Sequence, residues 1–166
     1  MTGNFSIFYQ NVRGLNTKID EFYCNLTGLD FNIICLTETW LGDSISNDLL
    51  FPPHYSVFRS DRNTATSNKS RGGGVLTAIP NPKPGTIRRP DLEQTDECLW
   101  IEIPCSDGFN LLIGNHYFPP DTCVLAIKNY FNFLENNIDS SKFRTLLIGD
   151  FNVPGFNWET GSCIPN

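Results

Sequence analysis

Apolar and polar positions in the first part of the chain follow the periods of a strand, a helix and a second strand. Residues 5–11 alternate moderately between apolar and polar side chains, as a half-buried strand does. A helix is predicted within residues 16–28, and its apolar face consists of Ile19, Phe22, Tyr23 and Leu26. Residues 31–37 form a short apolar run. Strand, helix and strand within about 35 residues predict a crossover unit with two parallel strands.

The middle of the chain alternates β-forming runs with polar or proline-rich connections. The predicted strands are residues 55–60, 74–79, 98–103 and 109–117. The CSDG segment between the last two predicts a hairpin turn. A second helix is predicted at residues 124–138 and a last strand at residues 144–148, whereas no strand or helix is predicted after Gly155.

These elements predict one layered domain. About seven strands and two helices favour an α+β or layered α/β fold, because strands dominate and helices enter only between them. A length of 166 residues suits a single domain with a sizeable core. We find no internal repeat and no domain boundary in the pattern.

Acidic residues outnumber basic residues, and the formal net charge is −6. This balance argues against a basic surface that would hold nucleic acid by charge alone. It is compatible with an enzyme that acts on phosphates, because a divalent cation held by carboxylates can neutralise an anionic substrate.

The six cysteines and the amino terminus predict an intracellular protein. No cysteines form a CxxC pair, and none clusters with histidine as in a zinc site. The first residues lack the charged and apolar regions of a signal peptide. No apolar run approaches the ~18 residues of a membrane helix. We therefore expect reduced thiols and no membrane segment.

Polar side chains stand at the ends of several predicted apolar strands. Asn11 ends the first strand, and Glu38 follows the second. Tyr117 ends a middle strand, whereas Asp150 and Asn152 follow the last. Because sites in layered α/β sheets gather at the carboxyl ends of strands, these side chains would share one rim if their strands are neighbours. Carboxylate and carboxamide oxygens suit Mg²⁺.

Each of these residues also has a purely structural explanation. Asn11 fits a cap of the following turn, and Glu38 fits a surface acid. Asp150 fits an Asx turn together with Asn152, and Tyr117 fits a half-buried packing aromatic. The single residues leave these alternatives open.

The motifs around these residues point to one family when they are taken together. They are QNVRGLNTK, LTETWL, RGGGV, YFPP and IGDFN. Their order and spacing resemble those of the endonuclease/exonuclease/phosphatase superfamily, and most closely the apurinic-type endonuclease domain of non-LTR retrotransposons. The resemblance extends over about residues 5–157, nearly the whole chain of residues 1–166.

This resemblance implies a fold and a role for each site residue. The fold is a four-layered sandwich, with two mixed β-sheets packed face to face between helices. A Mg²⁺ or Mn²⁺ ion would lie on Glu38, with Asn11 beside it. Tyr117 matches a tyrosine that contacts the scissile phosphate. Asp150 matches an aspartate that orients or activates the attacking water, and Asn152 matches an asparagine that supports it.

The resemblance also implies DNA as the substrate, a nuclear location and a reverse transcriptase domain in the same polyprotein. The main basic cluster consists of Arg59, Arg62, Lys69 and Arg71. These residues are candidates for weak phosphate contacts, although a solvated loop explains them nearly as well. Two alternatives stay open: another phosphoester substrate, such as an inositol phosphate, or an inactive fragment that binds metal or nucleic acid weakly.

The chain departs from the family pattern at one catalytic position. Family members complete the site with an Asp-His pair near their carboxyl end, and this sequence contains no such pair. Its two histidines are His54, expected in a loop, and His116, expected to point away from Tyr117 on a regular strand. We therefore expect a domain truncated at its carboxyl end, with an incomplete second sheet and little or no activity. Arg13, where some DNA-repair relatives carry an acid, weakens an assignment to DNA repair.

Overall fold

The computed structural model describes residues 5–26, 28–62, 72–153, 156–157, 159 and 162–163. Its strands are β1 (Ile7–Asn11), β2 (Ile33–Thr37), β3 (Tyr55–Ser60), β4 (Val75–Pro80), β5 (Ile87–Arg88), β6 (Cys98–Pro104), β7 (Asn110–Phe118), β8 (Phe143–Phe151), β9 (Phe156–Asn157) and β10 (Ser162–Cys163). The α-helices in these residues are α1 (Ile19–Leu26) and α2 (Val124–Asn137), and 3₁₀ turns cover Asn47–Leu49 and Pro90–Leu92. None of these helices is long and apolar enough to cross a membrane.

Eight of these strands form two four-stranded sheets. Sheet one has the order β1-β2-β4-β3, and sheet two has the order β5-β6-β7-β8. β1 and β2 are parallel on either side of α1, which confirms the predicted crossover unit. β7 and β8 are also parallel, with α2 in their connection. The other neighbours in both sheets are antiparallel, so both sheets are mixed.

The two sheets pack face to face, and helices cover their outer faces. The layer between the sheets contains Ile33, Cys35, Ile79, Ile101, Ile103 and Ile113. Alternate residues of the same strands face outward. There α1 adds Leu26 to the core over sheet one, and α2 adds Ile127 and Leu134 to the core over sheet two. This order of layers confirms the expected four-layered sandwich.

One buried polar side chain ties the two sheets together. Asn115 of β7 is fully buried, and its Nδ2 donates to the backbone oxygens of Leu36 (3.1 Å) and Leu76 (2.9 Å) in sheet one. Leaving such a buried amide unpaired costs about 1–3 kcal/mol, so these bonds oppose sliding of one sheet over the other. Because Asn115 lies two residues before Tyr117, these hydrogen bonds also fix the position of the end of β7.

β8 is longer than the strand predicted at residues 144–148. It continues to Phe151 because Gly149 pairs closely with β7: a Cβ at Gly149 would lie 2.0 Å from the backbone oxygen of His116. Asp150 therefore lies on the strand opposite Tyr117, and not in a turn after it. The sequence pattern also does not predict β5, β9 or β10, because two-residue strands carry no periodicity and depend on their partners.

His116 lies on the α2 side of β7, as the alternation of side chains predicts. The residue is fully buried, and its Nε2 is 2.9 Å from the hydroxyl oxygen of Tyr130 on α2. Burial lowers the pKa of His116 to about 4, so the imidazole is neutral at pH 7.

Acid should destabilise the fold through this histidine. The unfolded chain protonates His116 below about pH 6.5, whereas the folded protein does so only below a pKa of about 4. The free energy of unfolding should therefore fall between these values, by roughly 3 kcal/mol in total. Urea unfolding at pH 7, 5.5 and 4 measures the change. His116→Gln does not titrate and should lose this part of the pH dependence; an unchanged dependence in the variant would contradict the assignment.

Candidate active site

Each sheet presents two of the predicted site residues at the ends of parallel strands. In sheet one, Asn11 at the end of β1 pairs with Thr37 at the end of β2, and Glu38 follows directly. In sheet two, Tyr117 of β7 pairs with Asp150 of β8. The strand registers thus place Asn11 next to the Glu38 segment and Tyr117 next to Asp150.

Side-chain contacts between the sheets join these residues into one group. Asn11 Nδ2 donates to Asp150 Oδ2 over 2.9 Å. The Tyr117 hydroxyl faces the Glu38 carboxylate, and their interaction lowers the pKa of Glu38 and raises the pKa of Tyr117. We call the four residues Asn11, Glu38, Tyr117 and Asp150 the cross-sheet rim. The sequence predicts a rim on neighbouring strands, whereas the structure builds it from two strand ends on each of two facing sheets.

Two donors hold the carboxylate of Glu38, a residue that is 9% exposed. The Trp40 indole nitrogen and the Gly73 backbone nitrogen (3.2 Å) both donate to Glu38 Oε2, and the Tyr117 hydroxyl lies beside the carboxylate. Burial alone would raise the pKa of Glu38, but these bonds and the charge of Arg62 outweigh it and hold the pKa below its usual value. Glu38 is therefore ionised at neutral pH and oriented before any ligand binds.

Tyr117 is held in its protonated form. Burial raises the pKa of Tyr117, and the ionised Glu38 carboxylate beside it raises the pKa further, because a phenolate there would face a carboxylate. The pKa lies well above that of a free tyrosine. A neutral phenol of this kind can donate to a phosphate oxygen without adding negative charge to the site.

Three non-glycine residues beside the rim adopt left-handed backbone conformations. Their φ angles are 48° at Arg13, 57° at Glu38 and 54° at Trp40. Backbone hydrogen bonds hold them there, from the nitrogen of Gly14 to the oxygen of Glu38 (2.7 Å) and from the nitrogen of Trp40 to the oxygen of Gly73 (2.9 Å). Such conformations cost about 1–3 kcal/mol each and concentrate at functional sites.

Two further polar residues flank the rim. Asn152 Nδ2 donates to the backbone oxygen of Phe118 over 3.0 Å, which ties the end of β8 to β7; its role toward a substrate stays a prediction. Tyr9, which the sequence pattern does not single out, has its hydroxyl 3.1 Å from Thr37 Oγ1. Burial raises the pKa of Tyr9, the bond to Thr37 lowers it, and the charge of Asp150 raises it again. The phenol of Tyr9 is therefore close enough to Asp150 to sense its charge.

Arg59 and Arg62 use their guanidinium groups within the chain. Arg62 pairs with Glu97 through two hydrogen bonds of 2.8 and 2.9 Å, and both side chains are less than a tenth exposed. Arg59 pairs with Asp61 and donates to the backbone oxygen of Ile45 (2.6 Å). The other members of the basic cluster, which lie outside the described residues, are Lys69 and Arg71. Phosphate contacts by this cluster stay a prediction, and the structure gives its first two arginines internal partners.

Glu38 and Asn11 are the residues that would hold a divalent cation. Glu38 supplies an ionised carboxylate, and Asn11 supplies a neutral carboxamide oxygen. Among the residues that the structure describes, no three His, Cys, Asp or Glu side chains converge as a metal cluster. One carboxylate with a neutral oxygen fits Mg²⁺, which retains several waters, better than zinc, which takes histidine and cysteine.

The glycine that donates to Glu38 should not tolerate a side chain. At Gly73 the φ angle is +73°, and a Cβ there would lie 1.6 Å from Glu97 Oε1. Gly73→Ala should therefore lower the free energy of unfolding by about 2 kcal/mol or more. Gly42→Ala is the control, because a Cβ at Gly42 would meet no atom within 4 Å. Urea unfolding compares the two variants, and equal stability of both would contradict the described packing.

Known proteins share this arrangement of sheets. No curated protein sequence matches the chain. Among solved structures, the endonuclease domain of TRAS1, a telomere-specific non-LTR retrotransposon, superposes with a TM-score of 0.64 at 15% identity, over 89% of this chain and 60% of its own. An AP endonuclease from Archaeoglobus fulgidus gives 0.61 at 16% identity, over 92% and 59%. The AP endonuclease LMAP from Leishmania major gives 0.65 at 18% identity, over 91% and 56%.

These likenesses concern the fold, and the chain spans 56–60% of the length of the three solved proteins. The family assignment has separate support from the sequence. The model of the endonuclease/exonuclease/phosphatase family matches residues 9–163, which include every residue of the cross-sheet rim. The chain belongs to the endonuclease/exonuclease/phosphatase family.

Proposed function

We propose that the cross-sheet rim is the active site of a Mg²⁺-dependent nuclease that hydrolyses the phosphodiester backbone of DNA. The observation that carries this proposal is the group itself: an ionised carboxylate, a protonated phenol and an Asp-Asn pair meet where the two sheets face each other. The fold likeness to a retrotransposon endonuclease and to AP endonucleases supports DNA as the substrate.

A phosphodiester resists attack by water because it is itself negatively charged. A cation held by Glu38 and Asn11 would neutralise the charge that develops on the phosphate oxygens in the transition state. This requirement matches a rim whose own charges are carboxylates, since without a cation Glu38 and Asp150 would repel the substrate.

The residues of sheet two then act on the phosphate and the water. The Tyr117 hydroxyl, which is protonated beside Glu38, donates to a non-bridging phosphate oxygen. The Asp150 carboxylate, oriented by Asn11, positions the attacking water and accepts its proton. Asn152 supports the phosphate from the end of β8.

Neither histidine of the chain can assist at the rim. His54 precedes β3 at the end of sheet one opposite to the rim, and the His116 ring is buried against Tyr130. Family members use an Asp-His pair that this sequence does not contain. We therefore expect cleavage by this chain to be about 10²–10⁴-fold slower than by an enzyme with that pair.

We further propose that the domain serves a retrotransposon-type polyprotein that also carries reverse transcriptase. The sequences of its motifs and its structural likeness to the TRAS1 endonuclease domain support this context. In that setting the nuclease would nick a DNA strand to provide a primer.

Plasmid nicking under single-turnover conditions tests the proposed activity. With protein in excess over supercoiled plasmid, slow conversion to nicked circles should require Mg²⁺ and stop in EDTA. Asp150→Asn should reduce the rate at least about 100-fold, because it removes the base but keeps the size of the side chain. Glu38→Gln should raise the Mg²⁺ concentration that is needed. The exposed Glu135→Gln on α2 is the control and should nick like the parent chain. Nicking that survives Asp150→Asn, or that needs no divalent cation, would contradict the proposal.

A further inference from the structure

We propose that the buried ion pair between Arg62 and Glu97 positions Glu38 for cation binding, acting through the backbone of Gly73 and Gly74. The pair itself does not touch the substrate in this account. This inference rests on the proposed function only for the identity of the ligand that Glu38 binds, because the geometry of the ion pair does not depend on that function.

The ion pair is buried, and its two groups are held in one orientation. Arg62 Nε donates to Glu97 Oε1 over 2.8 Å and Arg62 Nη2 to Glu97 Oε2 over 2.9 Å, so the two planar groups face each other in a fork. The side chains are 9% and 7% exposed. Two hydrogen bonds between planar groups fix orientation as well as distance.

Glu97 also fixes the backbone of Gly73 and Gly74. Its Oε1 also accepts the backbone nitrogen of Gly74 over 2.8 Å. The preceding nitrogen, that of Gly73, donates to Glu38 Oε2 over 3.2 Å. The backbone nitrogens of two consecutive residues therefore connect the Glu97 carboxylate to the Glu38 carboxylate, with only Gly73 between them.

The same acid also locates the other donors of Glu38. The backbone oxygen of Glu97 accepts the nitrogen of Tyr117 over 2.9 Å, and the Tyr117 phenol faces the Glu38 carboxylate. The backbone oxygen of Gly73 accepts the nitrogen of Trp40 over 2.9 Å, and the Trp40 indole donates to Glu38. Both donors to the Glu38 carboxylate, and the phenol beside it, thus depend on a segment that Glu97 holds.

Stability alone does not explain such a pair. Buried ion pairs add little net stability compared with apolar side chains of similar size, because desolvation offsets their attraction. Residues that orient a metal ligand, by contrast, typically change metal affinity by 10–100-fold when they are removed. The connections of Glu97 to all donors of Glu38 favour this second role.

A charge effect and a positioning effect predict different changes in cation affinity for Arg62→Gln and Glu97→Gln. If only charge matters, Glu97→Gln lowers cation affinity and Arg62→Gln raises it, because the first removes a negative charge and the second a positive one. If positioning matters, both variants lower the affinity. The double variant Arg62→Gln/Glu97→Gln leaves the net charge unchanged and keeps two groups that can hydrogen-bond, so it isolates the effect of geometry.

The control is a second ion pair, between Arg88 of β5 and Glu93 after the 3₁₀ turn Pro90–Leu92, in which Glu93 is as buried as Glu97 and Arg88 is more exposed than Arg62. Arg88 and Glu93 also form a fork, with Nε–Oε1 and Nη2–Oε2 distances of 2.9 and 2.7 Å, and Glu93 Oε1 also accepts a backbone nitrogen, that of Trp100 (3.1 Å). None of these contacts reaches the Glu38 carboxylate. Glu93→Gln should therefore cost stability as Glu97→Gln does while leaving the Glu38 site unchanged.

Two measurements test the proposal on the whole chain. In ¹⁵N NMR spectra without metal, the Trp40 indole signal, identified by its loss in Trp40→Phe, should move in Glu97→Gln and in the double variant toward its position in Glu38→Gln. It should stay in place in Glu93→Gln. Mn²⁺ affinity, measured from the EPR signal of the free ion, should fall about tenfold or more in Arg62→Gln, Glu97→Gln and the double variant.

The outcomes separate this inference from the proposed function. An unmoved indole signal and parental Mn²⁺ affinity in the double variant would overturn the positioning role. Opposite affinity changes in the two single variants would also overturn it, in favour of charge. If the parent chain binds no Mn²⁺, the proposed cation site is wrong, whereas the NMR signal still decides whether Glu97 positions Glu38. Should a single variant not fold, the double variant and Glu93→Gln carry the same comparison.

Discussion

The hydrogen bond from Asn11 to Asp150 is the contact on which the arrangement of the site depends, because it joins the two sheets where their parallel strand pairs end. A sheet by itself supplies only half of the rim. The isoleucine-rich layer between the sheets sets their spacing, and Asn115 opposes sliding by bonding across it. With the sheets fixed in this way, Asn11 and Asp150 bond to each other across the sheets and the Tyr117 phenol faces Glu38, which reduces the cost of holding these polar groups near the core.

The segment after β2 shows how the fold supports a strained site. Glu38 and Trp40 both adopt positive φ angles, and the hydrogen bonds that hold them come from the segment around Gly14 and from Gly73. Glycine is required at position 73 because the Glu97 carboxylate occupies the space where a side chain would begin. Strain in one loop is therefore offset by backbone bonds from two others, and the result is a carboxylate whose direction is set before a ligand arrives.

Local sequence patterns predict the parts of this structure that depend on neighbouring residues. Periodicity predicts seven of the ten described strands, both described α-helices and the crossover around α1, and the polar strand ends single out Asn11, Glu38, Tyr117 and Asp150 as candidates. The contacts between sheets are not predictable in this way, since Asn11 and Asp150 lie 139 positions apart. The local sequence predicts that Glu97 is an exposed acid before an apolar strand, although the residue is buried. In the sequence, only the three consecutive glycines at 72–74 indicate that another group packs closely against this segment. The predicted strand likewise ends before Gly149, because the close approach of Gly149 to β7 is a tertiary contact that the local sequence does not show.

The position of a bound cation tests the proposed site. Crystals of the chain soaked in Mn²⁺ and measured at the manganese absorption edge locate the ion by anomalous scattering. One main peak is expected at the cross-sheet rim, within coordination distance of Glu38 and Asn11, and it should be lost in Glu38→Gln. A peak elsewhere, or a rim that stays empty while Mn²⁺ occupies other sites in the same crystal, would contradict the proposal that these two sheets meet to form a metal-dependent phosphodiesterase site.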